Sequence, residues 1–211
     1  MPLPTRLIEG YRSFRTGRYN AEADRYRHLA DGQAPSVMIV ACSDSRSAPE
    51  TVFDAGPGEI FVVRNVANLV PPYTPDSGHH ATSAAIEFAV LSLGVRDIAI
   101  MGHGRCGGIR AAMSEANPLS HTDFIGSWTR PIKDVIGAVS KSEGIDAHSH
   151  ERAVERASIE HSLANLRTFP WVRSREQAGE LAIHGVWFDI ALGELHAFDP
   201  ATGAWVPVAP S

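Results

Sequence analysis

The sequence predicts an α/β fold with a mainly parallel central sheet, an antiparallel edge strand, flanking helices and an N-terminal helical arm. Three observations predict it. Short continuous apolar runs, the pattern of strands buried on both faces, alternate with stretches of helical periodicity. The last two apolar runs flank Leu192-Gly193-Glu194, which calls for a hairpin at one edge of the sheet. The two motifs richest in reactive side chains each follow a strand-like run, and sites in parallel sheets form beyond the carboxyl ends of their strands.

Leu3, Leu7, Ile8, Tyr11 and Phe14 recur at helical spacing and predict an amphipathic helix ending near Gly17. A second helix is expected over Ala21 to Ala30, stopped by Asp31-Gly32. Together 1–31 form an arm that can bury its apolar stripes only against the domain or a partner subunit. Val37 to Ala41 is the first strand. A helical turn follows from Pro49, and Gly56-Pro57-Gly58 breaks it. Ile60 to Val63 is the second strand, leading into Arg64-Asn65-Val66-Ala67-Asn68. Pro71 to Gly78 reads as a loop, and Ala81 to Leu93 as a helix closed by Gly94. Asp97 to Met101 is the third strand. Gly107-Gly108 open a helix carrying Ile109 to Ala116, and 121–140 and 151–167 are helical in pattern. Val186-Trp187-Phe188 and Leu195 to Phe198 supply the closing strands. With no linker or repeat to divide it, 1–211 is expected to be a single domain.

The net charge of −5 argues against nucleic acid or an anionic membrane as a main partner. No run approaches the roughly 20 apolar residues that span a bilayer. Met1 to Gly17 has scattered arginines and no apolar core of signal-peptide length, so a cytoplasmic protein is expected. There, two cysteines read as metal ligands or reactive thiols, with a Cys42–Cys106 disulfide as the plain alternative.

Those two cysteines lie in Cys42-Ser43-Asp44-Ser45-Arg46 and Gly102-His103-Gly104-Arg105-Cys106-Gly107-Gly108. If the strands before them are neighbours, Cys42, His103 and Cys106 converge at the carboxyl edge of the sheet. Two thiolates and an imidazole suit zinc, and three protein ligands leave a fourth position open for chemistry. Gly102-x-Gly104-x-x-Gly107 also matches a dinucleotide-binding pattern, but Asp123, at the spacing of the ribose-binding acid, opens a helix instead of closing a strand. The glycines have another use: they bring backbone close to an ion, while Cys106 before a helix start favours a thiolate. Asp44 and Arg46, two apart on an extended segment, can pair on one side. That pairing would hold Asp44 off the metal; its loss would let Asp44 become a fourth ligand. His79 and His80 read as solvated, and His184 and His196 as structural.

These motifs resemble those of the β-class carbonic anhydrases. Cys-Ser-Asp-Ser-Arg at 42–46 and His-Gly-x-Cys-Gly-Gly at 103–108 match the family's zinc motifs. Pro57-Gly58-Glu59, Arg64 to Asn68 and Ala84-Ala85-Ile86-Glu87 add to the likeness, which is strong from about Gly32 to Ala112. The resemblance implies reversible hydration of carbon dioxide to bicarbonate and a proton by zinc-bound hydroxide. It implies one zinc per chain on Cys42, His103 and Cys106, the dyad of Asp44 and Arg46, and a homodimer or dimer-based oligomer embraced by the N-terminal helices. Gln33 matches a substrate-orienting glutamine of the plant-type branch, and Phe61 an aromatic wall. Phe88 stands where that branch often has a tyrosine. Ile39 occupies the place of a tryptophan that marks an allosteric bicarbonate site in another branch, so no such regulation is expected, although Arg64 is present. Phe61, Val66 and Phe88 are expected to line a small apolar pocket, with Gln33 and the Gly107 amide orienting the product. Some relatives on this scaffold hydrolyse carbon disulfide or carbonyl sulfide with the same zinc set, which is the alternative activity.

Overall fold

A computed structural model describes residues 3–114, 118–139 and 146–209. Its N-terminal arm is three short helices: α1 (Thr5–Thr16), α2 (Arg18–Ala21) and α3 (Ala23–Leu29). The second expected helix is thus split at Glu22, whose φ of −110° and ψ of 19° leave the helical region. Phe14, Tyr19 and Tyr26 pack ring against ring across the splits, with centroids 5.1 to 5.9 Å apart. No residue of the three helices is buried, and Leu3, Leu7 and Tyr11 leave their apolar faces uncovered.

The sheet contains β1 (Val37–Cys42), β2 (Ile60–Asn65), β3 (Asp97–His103), β4 (Ala182–Asp189), β5 (Glu194–Asp199) and β6 (Ala204–Pro207). Their order is β2-β1-β3-β4-β5-β6. The first four run parallel, whereas β5 and β6 are antiparallel. The antiparallel edge therefore holds two strands where one was expected. β6 escaped the sequence because Ala204-Trp205-Val206-Pro207 is short and ends in a proline, which an edge position tolerates. The expected hairpin is present, turning through Gly193 at a φ of 70°.

Helices cover the sheet. α4 (Pro49–Val52) follows the first motif. α5 (Ala81–Glu87) continues into a π-helical segment, Phe88–Leu93, and Gly94 ends it at a left-handed φ of 67°. The single expected helix is therefore real, with a widened second half. α6 (Gly107–Met113) ends before Ser114, and residues 115 and 116 of its expected extent lie outside the described residues. The stretch 121–140 resolves into α7 (Phe124–Thr129), a 3-10 turn and α8 (Lys133–Ala138), with residue 140 outside the described residues. α9 (Ala147–Leu166) starts earlier than its pattern suggested because Asp146 caps it, accepting from the His148 and Ser149 amides. α10 (Pro170–Gln177), unanticipated from sequence, begins with proline at its first turn. None of the described helices is long and apolar enough to cross a membrane.

Met38, Val40, Ile98 and Ile100 point to one sheet face, where Ile86, Val90, Ile159, Leu166 and Phe169 close over them. Each such side chain contributes about 1.5–3 kcal/mol by leaving water. The strands are thereby fixed rigidly in register, which places their carboxyl ends.

Candidate metal centre

Parallel pairing of β1 with β3 sets Ala41 beside Met101, so the two strands deliver Cys42 and His103 to one edge. Cys106 follows three residues later as the N-cap of α6. The thiols and the imidazole place three donor atoms within 4.8 Å of one another. Cys42 is 5 % exposed, and His103 and Cys106 are 1 % exposed. Both cysteines are free, their sulfurs 3.9 Å apart, so the disulfide alternative is not formed.

The donor set fits a borderline-soft dication. His103 Nδ1 faces the Gly104 carbonyl at 3.0 Å, which fixes the proton there and leaves Nε2 as acceptor. That Nε2 is buried with no hydrogen-bond partner among the described residues. A buried polar atom without a partner costs about 1–3 kcal/mol, and a metal ion in the cluster would satisfy it. The thiols titrate as a pair. A hydrogen bond from Cys106 stabilises the Cys42 thiolate and lowers its pKa to about 4, while the same thiolate pushes the Cys106 thiol up. Burial works against a charged His103, but hydrogen bonding to Cys42 and the Gly104 carbonyl, with the nearby charges of Cys42 and Asp44, together outweigh it and raise the imidazole's pKa.

Asp44 and Arg46 lie in a turn, not on the extended segment expected, and the pairing survives that change. The Arg46 amide and Nε donate to Asp44 Oδ1 at 3.0 and 2.9 Å, and Nη2 donates to Oδ2 at 2.7 Å. This side-chain bonding holds the Asp44 carboxyl well below the usual carboxylate range. Asp44 Oδ2 lies 3.9 Å from His103 Nε2, beside the donor cluster.

Three clamps that the sequence reading missed fix the loops. Arg64 donates to the Cys42 and Asp44 carbonyls at 2.8 and 2.6 Å. Arg46 Nη2 also reaches the Arg105 carbonyl at 3.2 Å. Glu155, on α9, accepts from the Cys106 amide at 2.9 Å and from Trp187 Nε1 at 3.0 Å. A signal for the last existed: Glu151, Glu155, Ser158, Ser162 and Asn165 recur at helical spacing, a polar stripe that is buried.

Packing constrains two of these glycines. A Cβ on Gly108 would meet Val66 Cγ1 at 2.7 Å, and one on Gly104 would meet the Trp187 ring at 3.1 Å. Gly107 faces open space. Val66, touching Gly108, borders a cleft of about 480 Å³ shared with His79, His80, Phe124 and Trp128. His80 pairs with Asp76 at 2.7 Å, and His184 with Asp97 at 2.8 Å.

The remaining expected pocket residues are elsewhere. Phe61 aligns with Met38, four residues before Cys42 and so about 13 Å from the carboxyl edge. Phe88 packs on Phe61 with ring centroids 5.9 Å apart and is 47 % exposed. Gln33 is exposed beside Tyr26, Leu29 and Gly58, ahead of β1. Within one chain, Gln33, Phe61 and Phe88 do not reach the metal cluster.

The family model described as "Carbonic anhydrase" matches residues 37–195. The chain is 39 % identical over 186 residues to beta carbonic anhydrase 5, chloroplastic, of Arabidopsis thaliana, covering 87 % of this chain and 60 % of that protein. It is 36 % identical over 203 residues to a carbonic anhydrase of Pseudomonas aeruginosa, covering 96 % and 91 %. Thus it spans about three fifths of the plant protein and nearly all of the bacterial one. Among solved structures, the β-carbonic anhydrase CcaA superposes with a TM-score of 0.87 at 29 % identity, over 97 % of this chain and 92 % of that one. A tetrameric β-carbonic anhydrase of Sordaria macrospora gives 0.80 at 27 %, over 96 % and 97 %.

Proposed function

Because this chain belongs to the β-class carbonic anhydrases, we propose that it interconverts carbon dioxide and bicarbonate with one zinc ion held by Cys42, His103 and Cys106. The observation that carries this reading is the buried His103 Nε2, without a hydrogen-bond partner among the described residues and facing two thiols, with the adjacent carboxylate already committed to arginine. The metal's contribution is Lewis acidity, which makes water a nucleophile near neutral pH.

The protein's own groups do the rest. Asp44, ionised and fixed by Arg46, accepts a hydrogen bond from the attacking water and turns its lone pair toward the substrate carbon. Its lowered pKa means that it orients the water's proton without keeping it. Arg46 occupies both carboxylate oxygens and so keeps Asp44 from closing the fourth position. Val66 supplies apolar wall to an uncharged substrate, and the exposed first turn at Gly107 offers an amide to the product.

Gln33, Phe61 and Phe88 would serve a second copy's site. All three lie toward the amino edge of the sheet, Phe88 is about half exposed, and among the described residues β2 is an edge strand paired on one side only. The uncovered stripe of α1 would pack on that copy, giving a homodimer or a larger assembly of dimers. The tetrameric fungal relative supports association. Two free cysteines suit the cytoplasmic setting proposed from the sequence.

Stopped-flow hydration of carbon dioxide by zinc-loaded protein tests the activity. A rate far above the uncatalysed one is expected. No turnover with one zinc per chain would overturn it and make carbon disulfide the next substrate to try.

A further inference from the structure

We propose that Glu155 is a positioning residue that sets the direction of the Cys106 thiolate toward the metal by clamping the Arg105–Cys106 peptide. The inference rests on the reading of Cys106 as a metal ligand.

Glu155 is 3 % exposed, on the face of α9 turned to the sheet. A buried carboxylate is costly unless paired, yet among the described residues it forms no ion pair. The neighbouring Arg156 lies over the Trp187 ring instead, 4.7 Å from its centroid. Both Glu155 oxygens are used by neutral donors: Oε1 by the Cys106 amide, Oε2 by the Trp187 indole. Trp187, itself 2 % exposed in β4, thereby fixes the carboxylate's plane.

The Cys106 amide belongs to the peptide whose carbonyl is that of Arg105, and that carbonyl accepts from Arg46. One peptide plane is therefore gripped at both ends, by α9 through its N–H and by the Asp44–Arg46 pair through its oxygen. Arg105 needs such a grip, because its φ of 58° is unfavourable for a residue with a Cβ. Rotation of that plane would swing the Cys106 Cα–Cβ bond away from Cys42 and His103 and withdraw the oxygen from Arg46. Glu155 thus couples the ligand to the dyad without touching substrate or metal.

Glu155→Ala leaves two buried donors without acceptors and risks the fold, so the informative variant is Glu155→Gln. An amide has one acceptor oxygen and cannot serve both N–H groups. Adding Trp187→Phe removes the rival donor and lets the amide oxygen return to Cys106. The measurements are the rate at which a chelator strips zinc from the holoenzyme and the visible thiolate–cobalt spectrum of the cobalt-substituted protein. Trp187→Phe alone serves as baseline. Glu155→Gln is expected to weaken metal retention about 10–100-fold and to shift the cobalt spectrum. The double variant should recover most of both, despite a lower melting temperature. Unchanged retention and spectrum in Glu155→Gln would overturn the clamp, as would failure of the double variant to recover, which would assign the effect to lost charge. Metal retained by Cys106→Ser would instead overturn the ligand reading, and the clamp with it.

Discussion

The two edges of the parallel sheet are built differently. At the carboxyl edge, each loop is tied down: Arg64 holds Cys42 and Asp44, Arg46 and Glu155 hold the Arg105–Cys106 peptide, and the donor cluster is buried. At the amino edge, Gln33, Phe61 and Phe88 stand apart from any ligand, and Leu91 and the arm's Leu7 and Tyr11 are exposed. Metal chemistry requires donors placed to tenths of an ångström, which covalent strands and buried hydrogen bonds provide within one chain. Under the proposed function, an apolar wall for a small uncharged substrate needs only shape, which a second copy would supply.

The sharpest way to break the contrast is Cys106→Ser. Dialysed protein should lose essentially all zinc, an effect beyond the roughly 10–100-fold produced by losing an outer partner. Metal analysis showing full occupancy would remove Cys106 from the ligand set. Next in size, Asp44→Asn should keep zinc and slow hydration by about 10²–10⁴-fold, read by stopped flow; wild-type turnover would leave Asp44 a purely structural group.

At the other edge, Phe88→Glu should leave zinc content unchanged while weakening self-association at least about 100-fold, because an unpaired charge would be buried between copies. Sedimentation and activity should fall together. Full activity in a monomer would show that the amino edge serves no neighbouring site. Arg64→Ala should be milder. Losing charged-donor bonds worth about 1.5–3 kcal/mol should lower the melting temperature by about 3–12 °C, and an unaltered value would mean that the loops hold without the clamp.

The smallest effect is acid lability. Arg46 depresses the Asp44 pKa, so the folded protein releases this proton more readily than the unfolded chain. The resulting stability is fully present above the unfolded value, about pH 4, and is lost as pH falls through the lower folded value. In metal-free protein, the gap in melting temperature between wild type and Asp44→Asn should narrow as pH is lowered from about 5 toward 2. A constant gap would sever Asp44 from acid stability.

Much of the carboxyl edge was legible because Cys42 and His103 end their strands, Cys106 follows three residues later, and strand ends are marked by apolar runs that stop. The split of the arm at Glu22 and the short edge strand β6 were not, since neither carries a periodicity long enough to read. Glu155 was visible only as one polar residue among several on a helix. Its partner Cys106 is 49 positions away, and a contact across that distance leaves no trace in local spacing.

Local chemistry in the chain alone determined the strand and helix alternation, the two motifs and the donor types, because these depend on neighbours within a few residues. Tertiary structure decided which donors meet, that Asp44 faces Arg46 in a turn, that α9 clamps the Cys106 peptide, and that Phe61 and Phe88 fall at the far edge. Those outcomes follow from strand order and register, which are set by burial of the whole sheet between helices, a long-range balance that no single stretch of sequence carries.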